Sequence, residues 1–296
     1  MSIRQTFLVI LLASAIAGGT VYFTRVLLSP VDRPTVPWVK YVHPNIAKLK
    51  EAQRLTDDDK LPEAREILVG ALTSAPRSPV TRELRDLLGE VNTRLFLQKQ
   101  TSPRKIEYTV ASGDALSSIA RKLKSSADAI MRINELDSTL IRPGDKLFVP
   151  QLDFTITVDL PRGRVVVHDG HGFFTQYPIA SVDLPKTRAA KVETRVTAKS
   201  FWENGRPVAR RRRGKEEGGN PWIYLHRSGY VLYGVEESGE TSDRAIHIDG
   251  EQADSDADSS PTDRPPHGIA MLKRDISELE LLLKKGTPVT VILDRD

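Results

Sequence analysis

Residues Ile106–Gln151, IEYTVASGDALSSIARKLKSSADAIMRINELDSTLIRPGDKLFVPQ, contain the pattern that decides the fold of the middle of this chain. Tyr108 and Val110 alternate as in a strand, and two short helical stripes follow. Three polar residues are placed at helix ends, with Asp114 and Ser126 as predicted N-caps and Asn134 as a left-handed terminal residue. Pro143 and Gly144 fit the central positions of a type II turn before a second strand. The predicted order is strand, helix, helix, strand.

The motifs inside this segment make it similar to the LysM module. In chain order they are Tyr-Thr-Val, Gly-Asp-x-Leu, Ile-Ala, Asn-x-Leu, Ile-x-Pro-Gly and Leu-x-Val-Pro, and they lie within residues 106–151. The resemblance implies a module that binds N-acetylglucosamine-containing glycans, which in bacteria are usually strands of peptidoglycan.

In that family the glycan lies in a shallow groove between two loops, here Ser112 to Leu116 and Asp137 to Arg142. Such a groove needs backbone N–H and C=O groups near the acetamido groups, and apolar side chains under the sugar rings. The predicted glycan-binding residues are Ser112, Gly113, Asp114, Ala115, Leu116, Thr139, Leu140 and Ile141. Most of the apolar motif letters are predicted to be core, and Leu116 belongs to that predicted core as well as to the loop.

The N-terminus contains an uncharged apolar run from Thr6 to Thr24. About 19 residues at 1.5 Å rise nearly match a ~30 Å hydrocarbon core, so residues 1–28 are predicted to form a signal anchor or transmembrane helix. Residues 29–43 are then a proline-containing linker. The alternative is a cleaved signal peptide, for which small residues offer cleavage sites at Ala13, Ala15 and Ala17. Either interpretation exports the rest, and the anchor predicts a cell-envelope protein attached to the inner (cytoplasmic) membrane with its C-terminal part outside the cytoplasm.

Apolar stripes with helical spacing occupy residues 44–100 and are interrupted at TDDDK and APRSP. They resemble a short tetratricopeptide-like helical hairpin with an added helix, although such repeats normally need stacked neighbours to bury a core. We interpret the segment as a helical spacer. The alternative is a docking element through which residues 44–99 recruit a protein partner.

From residue 153 to residue 296 the apolar pattern changes to period two, which predicts a mainly-β domain with hairpins, a short helix at ISELELLLKK and a final strand at GTPVTVILD. Tyr-Pro-Ile-Ala, Asn-Pro-Trp-Ile and Gly-Thr-Pro-Val make this part similar to the L,D-transpeptidase (YkuD-like) domain. The fold class predicted for the whole chain is therefore multidomain α+β.

The resemblance implies cysteine chemistry, with a thiolate that attacks a peptide-stem amide and a histidine as its base. The chain contains no cysteine. The family's Ser-His-Gly-Cys-Ile-Arg-Met motif meets PPHGIAM at 265–271, so that Gly268 replaces the cysteine and Ala270 the arginine; the other register puts Ile269 at the nucleophile. The histidine position corresponds to Asp249, with Tyr233 as a second candidate. The three degenerate catalytic positions are therefore Gly268, Ala270 and Asp249.

These losses predict a pseudoenzyme that binds peptidoglycan through its LysM module, without a cofactor or a metal. Two alternatives stay open: an enzyme of the same fold with non-standard residues, such as a triad from Ser259, Ser260, His267 and Asp249, and an envelope scaffold that recruits a partner. A net charge of +4 and a pI near 9.2 come from balanced acids and bases, which is too mild a bias to predict nucleic-acid binding.

Overall fold

The computed structural model describes residues 44–185, 187, 189–208, 211–213, 216–227, 229–236, 265 and 267–294. Contacts between residues divide the chain into two units, Met1–Ala47 and Lys48–Asp296. In the first unit only residues 44–47, where the first helix begins, are described. The predicted membrane segment and linker, residues 1–43, lie outside the described ranges. Within those ranges no helix combines the length and the apolarity that crossing a bilayer requires.

The predicted helical stripes correspond to α1 (Pro44–Asp57), α2 (Leu61–Ser74) and α3 (Thr81–Leu97). Their apolar residues meet in a small core of Ala52, Leu61, Ala64, Leu68, Ala71, Leu84, Leu88 and Val91. Asp59, in the turn between α1 and α2, has a positive φ of 58°, which a short polar side chain tolerates.

The segment quoted above folds as β1 (Lys105–Thr109), α4 (Leu116–Lys122), α5 (Ala127–Ile133) and β2 (Lys146–Pro150), and the two strands pair antiparallel. The predicted order is confirmed. Ser126 caps α5 as predicted, because its hydroxyl accepts a hydrogen bond from the Ala129 N–H at 3.1 Å. The type II turn is also confirmed, since Gly144 has a φ of 94° and the Asp145 N–H donates to the Arg142 carbonyl at 3.0 Å.

The predicted N-cap role of Asp114 is wrong, and Asn134 ends α5 as predicted but without the left-handed conformation. The N-cap residue of α4 is Ala115, and no side chain caps that helix. Asn134 has a φ of −92°, and it is Glu135 that adopts the left-handed conformation, with a φ of 56°. The side-chain amide of Asn134 donates to the Ile130 carbonyl of α5 at 2.7 Å and to the Phe148 carbonyl of β2 at 2.8 Å, and its oxygen accepts from the Phe148 N–H at 2.8 Å.

The described residues after the LysM segment form a large mixed sheet, one α-helix, a 3-10 turn at Leu160–Arg162 and a short hairpin, which gives the α+β class expected from the sequence. The strands of the sheet are β3 (Thr155–Asp159), β4 (Arg164–Asp169), β5 (Gly172–Pro178), β6 (Ser181–Asp183), β7 (Lys191–Glu203), β8 (Arg206–Val208), β11 (Asn220–Leu225), β12 (Val231–Val235), β13 (Gly268–Leu272) and β14 (Pro288–Ile292). The hairpin is β9 (Arg211–Arg213) with β10 (Glu216–Gly218), and the helix is α6 (Lys273–Leu282).

The order across the sheet is β5-β4-β3-β14-β7-β11-β12-β13-β6, and β8 pairs with β7. Two neighbouring pairs are parallel, β14 with β3 and β12 with β13, and the other neighbouring pairs in this order are antiparallel. The long strand β7 lies at the centre and pairs with β14 and β11. The topology therefore brings β12 and β13 together, although 32 residues separate Val235 from Gly268 in the sequence.

Packing crosses the predicted boundaries between the helical segment, the LysM segment and the sheet. Asn92 on α3 donates to the Phe174 carbonyl of β5 at 2.7 Å, and the Phe96 ring lies 5.9 Å from the Phe174 ring. Lys199 Nζ on β7 lies 2.5 Å from Glu280 Oε1 on α6 and 3.8 Å from Asp128 Oδ2 on α5. The predicted spacer thus also covers the edge strand β5, and the LysM segment rests on the sheet.

Candidate functional site

The first predicted glycan loop is held by the carboxylate of Asp114. That carboxylate accepts hydrogen bonds from the Ala111 N–H and the Tyr108 hydroxyl, each at 2.8 Å. The Ala111 hydrogen bond, and after it the Tyr108 hydrogen bond, hold the pKa of Asp114 below its ordinary value. The same contact raises the pKa of Tyr108. Gly113, between these partners, has a φ of 86°, a conformation that favours glycine.

The second predicted loop presents an apolar side chain to solvent. Leu140 is 86% exposed, whereas Ile141 next to it packs against the LysM core. The start of the first loop lies beside the end of the second, because Val110 accepts from the Gly144 N–H at 2.8 Å and donates to the Asp145 carbonyl at 2.9 Å. The residue Val110 before the first loop therefore lies beside Gly144 and Asp145, which follow the second loop.

The predicted glycan-binding residues differ in exposure. Ser112, Gly113, Ala115, Thr139 and Leu140 are exposed, and Asp114 and Ile141 are half-buried. Leu116 is only 2% exposed and belongs to the LysM core, so its side chain cannot contact a sugar. Its predicted core role fits the structure better than its predicted role in binding.

The position of the missing nucleophile has no room for a side chain. A β-carbon at Gly268 would lie 2.6 Å from the Val231 carbonyl oxygen and 3.0 Å from two ring carbons of Tyr233. Ala270, where the arginine would stand, is fully buried against Trp222 and Tyr233. Aromatic rings therefore fill the face of β13 on which both degenerate positions lie.

The other sequence register does not open the centre either. Ile269 is fully buried in the main core of the sheet domain. Of the two candidates for the base position, Tyr233 lies opposite Ala270 in the β12–β13 register. Asp249, the other candidate, lies outside the described residues, as do Ser259 and Ser260 of the alternative triad.

A cleft of about 560 Å³ lies next to this filled centre. Its lining includes aromatic rings and two basic side chains, namely Trp222, Tyr224, Arg227, Tyr230 and His267. On its rim, His267 Nδ1 lies 3.4 Å from Asp183 Oδ2, and both side chains are at least half exposed. Sequence reasoning missed the cleft. Its one local signal was the alternation of Trp222 and Tyr224 on one face of β11.

A model of the LysM domain family matches residues 108–150. The match covers the last two residues of β1 and all of α4, α5 and β2, with both predicted glycan loops inside it. The chain therefore contains a LysM domain, as the sequence motifs predicted.

Two curated relatives are similar to a limited part of the chain. Oxidation resistance protein 1 of Xenopus laevis is 30% identical over 96 residues, which are 30% of this chain and 11% of that protein. Oxidation resistance protein 1 of Rattus norvegicus is 31% identical over 86 residues, 29% of this chain and 10% of that protein. The chain thus spans about a tenth of the length of these relatives.

Solved L,D-transpeptidase structures align with a larger part of the chain at low similarity. A cysteine-to-serine mutant of the Enterococcus faecium L,D-transpeptidase is 14% identical, with coverage of 70% of this chain and 82% of that chain and a TM-score of 0.29. The Ldtfm–avibactam carbamoyl enzyme is 15% identical, with 71% and 81% coverage and the same TM-score of 0.29. Such a score does not establish a common fold.

Proposed function

We propose that this protein is a cell-envelope component that binds N-acetylglucosamine-containing glycan strands, in bacteria those of peptidoglycan, through the loops of its LysM domain. The observation that carries the proposal is the LysM match at 108–150, with exposed loop residues on both sides of the expected groove. Leu140 supplies an apolar surface for a sugar face. The loop Ser112 to Leu116, which the Asp114 carboxylate holds through the Ala111 N–H, supplies backbone groups for hydrogen bonds.

The same proposal makes the C-terminal domain a catalytically inactive relative of L,D-transpeptidases. Acyl transfer through a thioester needs a thiolate, and no residue of this chain can form one. The crowding at Gly268 supports inactivity independently, because a nucleophile needs open space in which to meet its substrate. The motifs Tyr-Pro-Ile-Ala, Asn-Pro-Trp-Ile and Gly-Thr-Pro-Val carry the relationship.

The location that fits this function is the cell envelope, with residues 1–28 anchored in the inner membrane. Tethering below the wall would raise the glycan concentration that one weak LysM groove meets. Fractionation of cells checks this part: the intact chain should remain with membranes after a high-salt wash, and recovery of a shortened chain in the soluble fraction would show cleavage instead.

Sedimentation with purified peptidoglycan sacculi tests the glycan-binding function. The whole chain should pellet with sacculi and be released by soluble chitotetraose, an oligomer of N-acetylglucosamine. Lysozyme-digested sacculi, which no longer sediment, control for aggregation of the protein. Protein that stays in the supernatant with intact sacculi would contradict the proposal.

A second candidate function, an enzyme with non-standard residues, is favoured by the contact between His267 and Asp183 on the rim of the cleft. A carboxylate beside an imidazole is the arrangement that orients a general base. Analysis of wall digests after incubation with the purified chain decides between the two. New cross-links that disappear in His267→Ala would establish the enzyme, whereas unchanged digests and no carbapenem adduct by mass are expected for the pseudoenzyme.

The third alternative gives residues 44–99 a protein partner. Such a partner would have to use helix surfaces other than the part of α3 that covers β5. A pull-down that compares the chain with surface variants of α2 would identify it.

A further inference from the structure

Four arginine side chains from two parts of the fold lie together where α3 covers the edge strand β5. This arginine cluster consists of Arg82 and Arg85 on α3, Arg162 in the 3-10 turn and Arg164 on β4. A chain of contacts connects the sheet to the helix. Arg164 Nη1 donates to the Gln176 side-chain oxygen at 3.4 Å, and the Gln176 amide donates to Asp86 Oδ1 at 2.6 Å. Arg82 Nε lies 3.9 Å from the other oxygen of Asp86.

The carboxylates of this network neutralise only part of its positive charge. Asp159, which is 8% exposed, is occupied by Arg162, because it accepts from the Arg162 N–H at 3.1 Å and from Nη1 at 2.8 Å. Asp86 lies closer to the neutral amide of Gln176 than to Arg82. Two of the four arginines in the cluster therefore have no carboxylate of their own within this network.

The two arginines without a carboxylate are Arg85 and Arg164, and neutral groups hold both in place. Among the described residues, neither lies within ion-pair distance of a carboxylate. Arg85 lies over the Phe173 ring, 5.8 Å from its centroid, and Arg164 bonds to Gln176. Both are half-buried. Burial and, to a smaller extent, the repulsion from the other three arginines lower the pKa of Arg164, although Asp159 opposes the shift. An anion at this position would relieve the repulsion.

We propose that the arginine cluster is a binding site for a phosphate group that carries two negative charges. The planar guanidinium group matches phosphate oxygens with two parallel hydrogen bonds. A phosphomonoester has a charge of about −1.5 to −2 at pH 7, which matches the two arginines without carboxylates, whereas a single carboxylate would neutralise only one of them. The Nε of Arg164 is closed to solvent, so we assign the contacts to the Nη groups of the cluster. The site shares no residue with the LysM loops and does not depend on glycan binding.

Titration calorimetry and thermal unfolding of the whole chain with inorganic phosphate test the inference, with chloride at the same ionic strength as the reference. Phosphate should raise the unfolding midpoint of the wild type more than chloride does, because a ligand that binds only the folded state stabilises it. Arg85→Gln should weaken phosphate binding about tenfold. Arg85→Lys keeps the charge but not the planar group, so its affinity should lie between the two. Arg54→Gln on α1 is the matched control, because Arg54 is exposed and lies outside the cluster: it should bind phosphate like the wild type.

Flotation with phosphatidylcholine vesicles that contain phosphatidic acid distinguishes the source of the phosphate group. Wild-type protein that floats with these vesicles, when Arg85→Gln does not, would assign the site to a lipid headgroup. Binding of inorganic phosphate without flotation would assign it to a soluble ligand. Equal midpoint shifts in phosphate and chloride, equal weakening in Arg85→Gln and Arg54→Gln, or tighter binding of acetate than of phosphate would each overturn the inference. Chitotetraose binding should be unchanged in Arg85→Gln, so failure of this inference leaves the LysM proposal standing.

Discussion

The LysM loops, where the sequence predicts a glycan site, and strand β13, where it predicts degenerate catalytic positions, have opposite surroundings. Leu140 is 86% exposed and Gly113 has nothing within 4 Å of its would-be β-carbon. On β13, Ile269 and Ala270 are fully buried, and a β-carbon at Gly268 would collide with backbone. A binding groove needs only open backbone and a few exposed atoms, whereas a nucleophile needs one side chain in free space. An exposed binding groove can therefore remain open in a protein whose catalytic position is filled by side chains.

The largest effect is expected from Lys199→Met, which removes the partner of the buried Glu280 carboxylate inside the sheet domain that contains β13. Glu280 is 1% exposed, and removing one partner of a buried ion pair costs about 3–5 kcal/mol. Urea unfolding should show this loss of unfolding free energy in a single transition. Lys191→Met on the same strand is the control, because its pair with Glu193 is exposed to solvent on both sides and exposed pairs contribute little to stability. Equal losses in the two variants would show that the buried Lys199–Glu280 pair stabilises the sheet domain no more than an exposed pair does.

The second largest effect is expected from Gly268→Cys, which places a cysteine at the position of the missing nucleophile. Because the β-carbon would meet the Val231 carbonyl at 2.6 Å, overpacking should cost about 1–3 kcal/mol or more, and no carbapenem adduct should form. Gly170→Cys is the control, since nothing lies within 4 Å of its would-be β-carbon. A stable Gly268→Cys protein that gains the mass of the drug would show that the centre is still open.

Local sequence signals predicted the LysM module well, because its order depends on residues close together in the chain. Ser126 and the Pro143–Gly144 turn act on neighbours within three residues. The two failures came from longer-range competition. Asp114 bonds to Tyr108, six residues away, and Asn134 bonds to Phe148 across the module. Neither partner could be inferred from helix-end preferences alone.

The sheet domain was predicted less completely, because its site is assembled from distant segments. Period two predicted β3 and β4 and their pairing. It could not predict that β12 pairs with β13, or that Tyr230 and His267 line one cleft with Trp222. The absence of cysteine excluded thiolate chemistry from the sequence alone, but the collision at Gly268 depends on the β12–β13 register.

A smaller effect is expected from Leu140→Ser in the exposed loop. Removing one apolar contact with a sugar should weaken binding to sacculi about tenfold, equivalent to about 1.4 kcal/mol, without changing stability. Val69→Ser on α2 is a matched control, because Val69 is also an exposed large apolar side chain, at 39%. If both variants bind like the wild type, Leu140 lies outside the groove.

The smallest expected effect is a loss of chitotetraose binding in acid, through Asp114. Hydrogen bonds from Ala111 and Tyr108 hold the pKa of Asp114 below its ordinary value of 3.8, so the folded loop favours the charged carboxylate. A lowered folded-state pKa stabilises the loop above pH 3.8, and this stabilisation is lost as the pH falls through the folded-state pKa. Affinity should therefore be equal at pH 7 and pH 5 and fall about two- to fivefold in stronger acid.

Asp114→Asn, which cannot change charge, is the control. It should bind chitotetraose with the same affinity at all three pH values, provided that circular dichroism shows the fold intact. If both proteins lose the same affinity in acid, the titrating group is not Asp114. The proposal that the Asp114 carboxylate holds the first loop in its binding conformation would then be wrong.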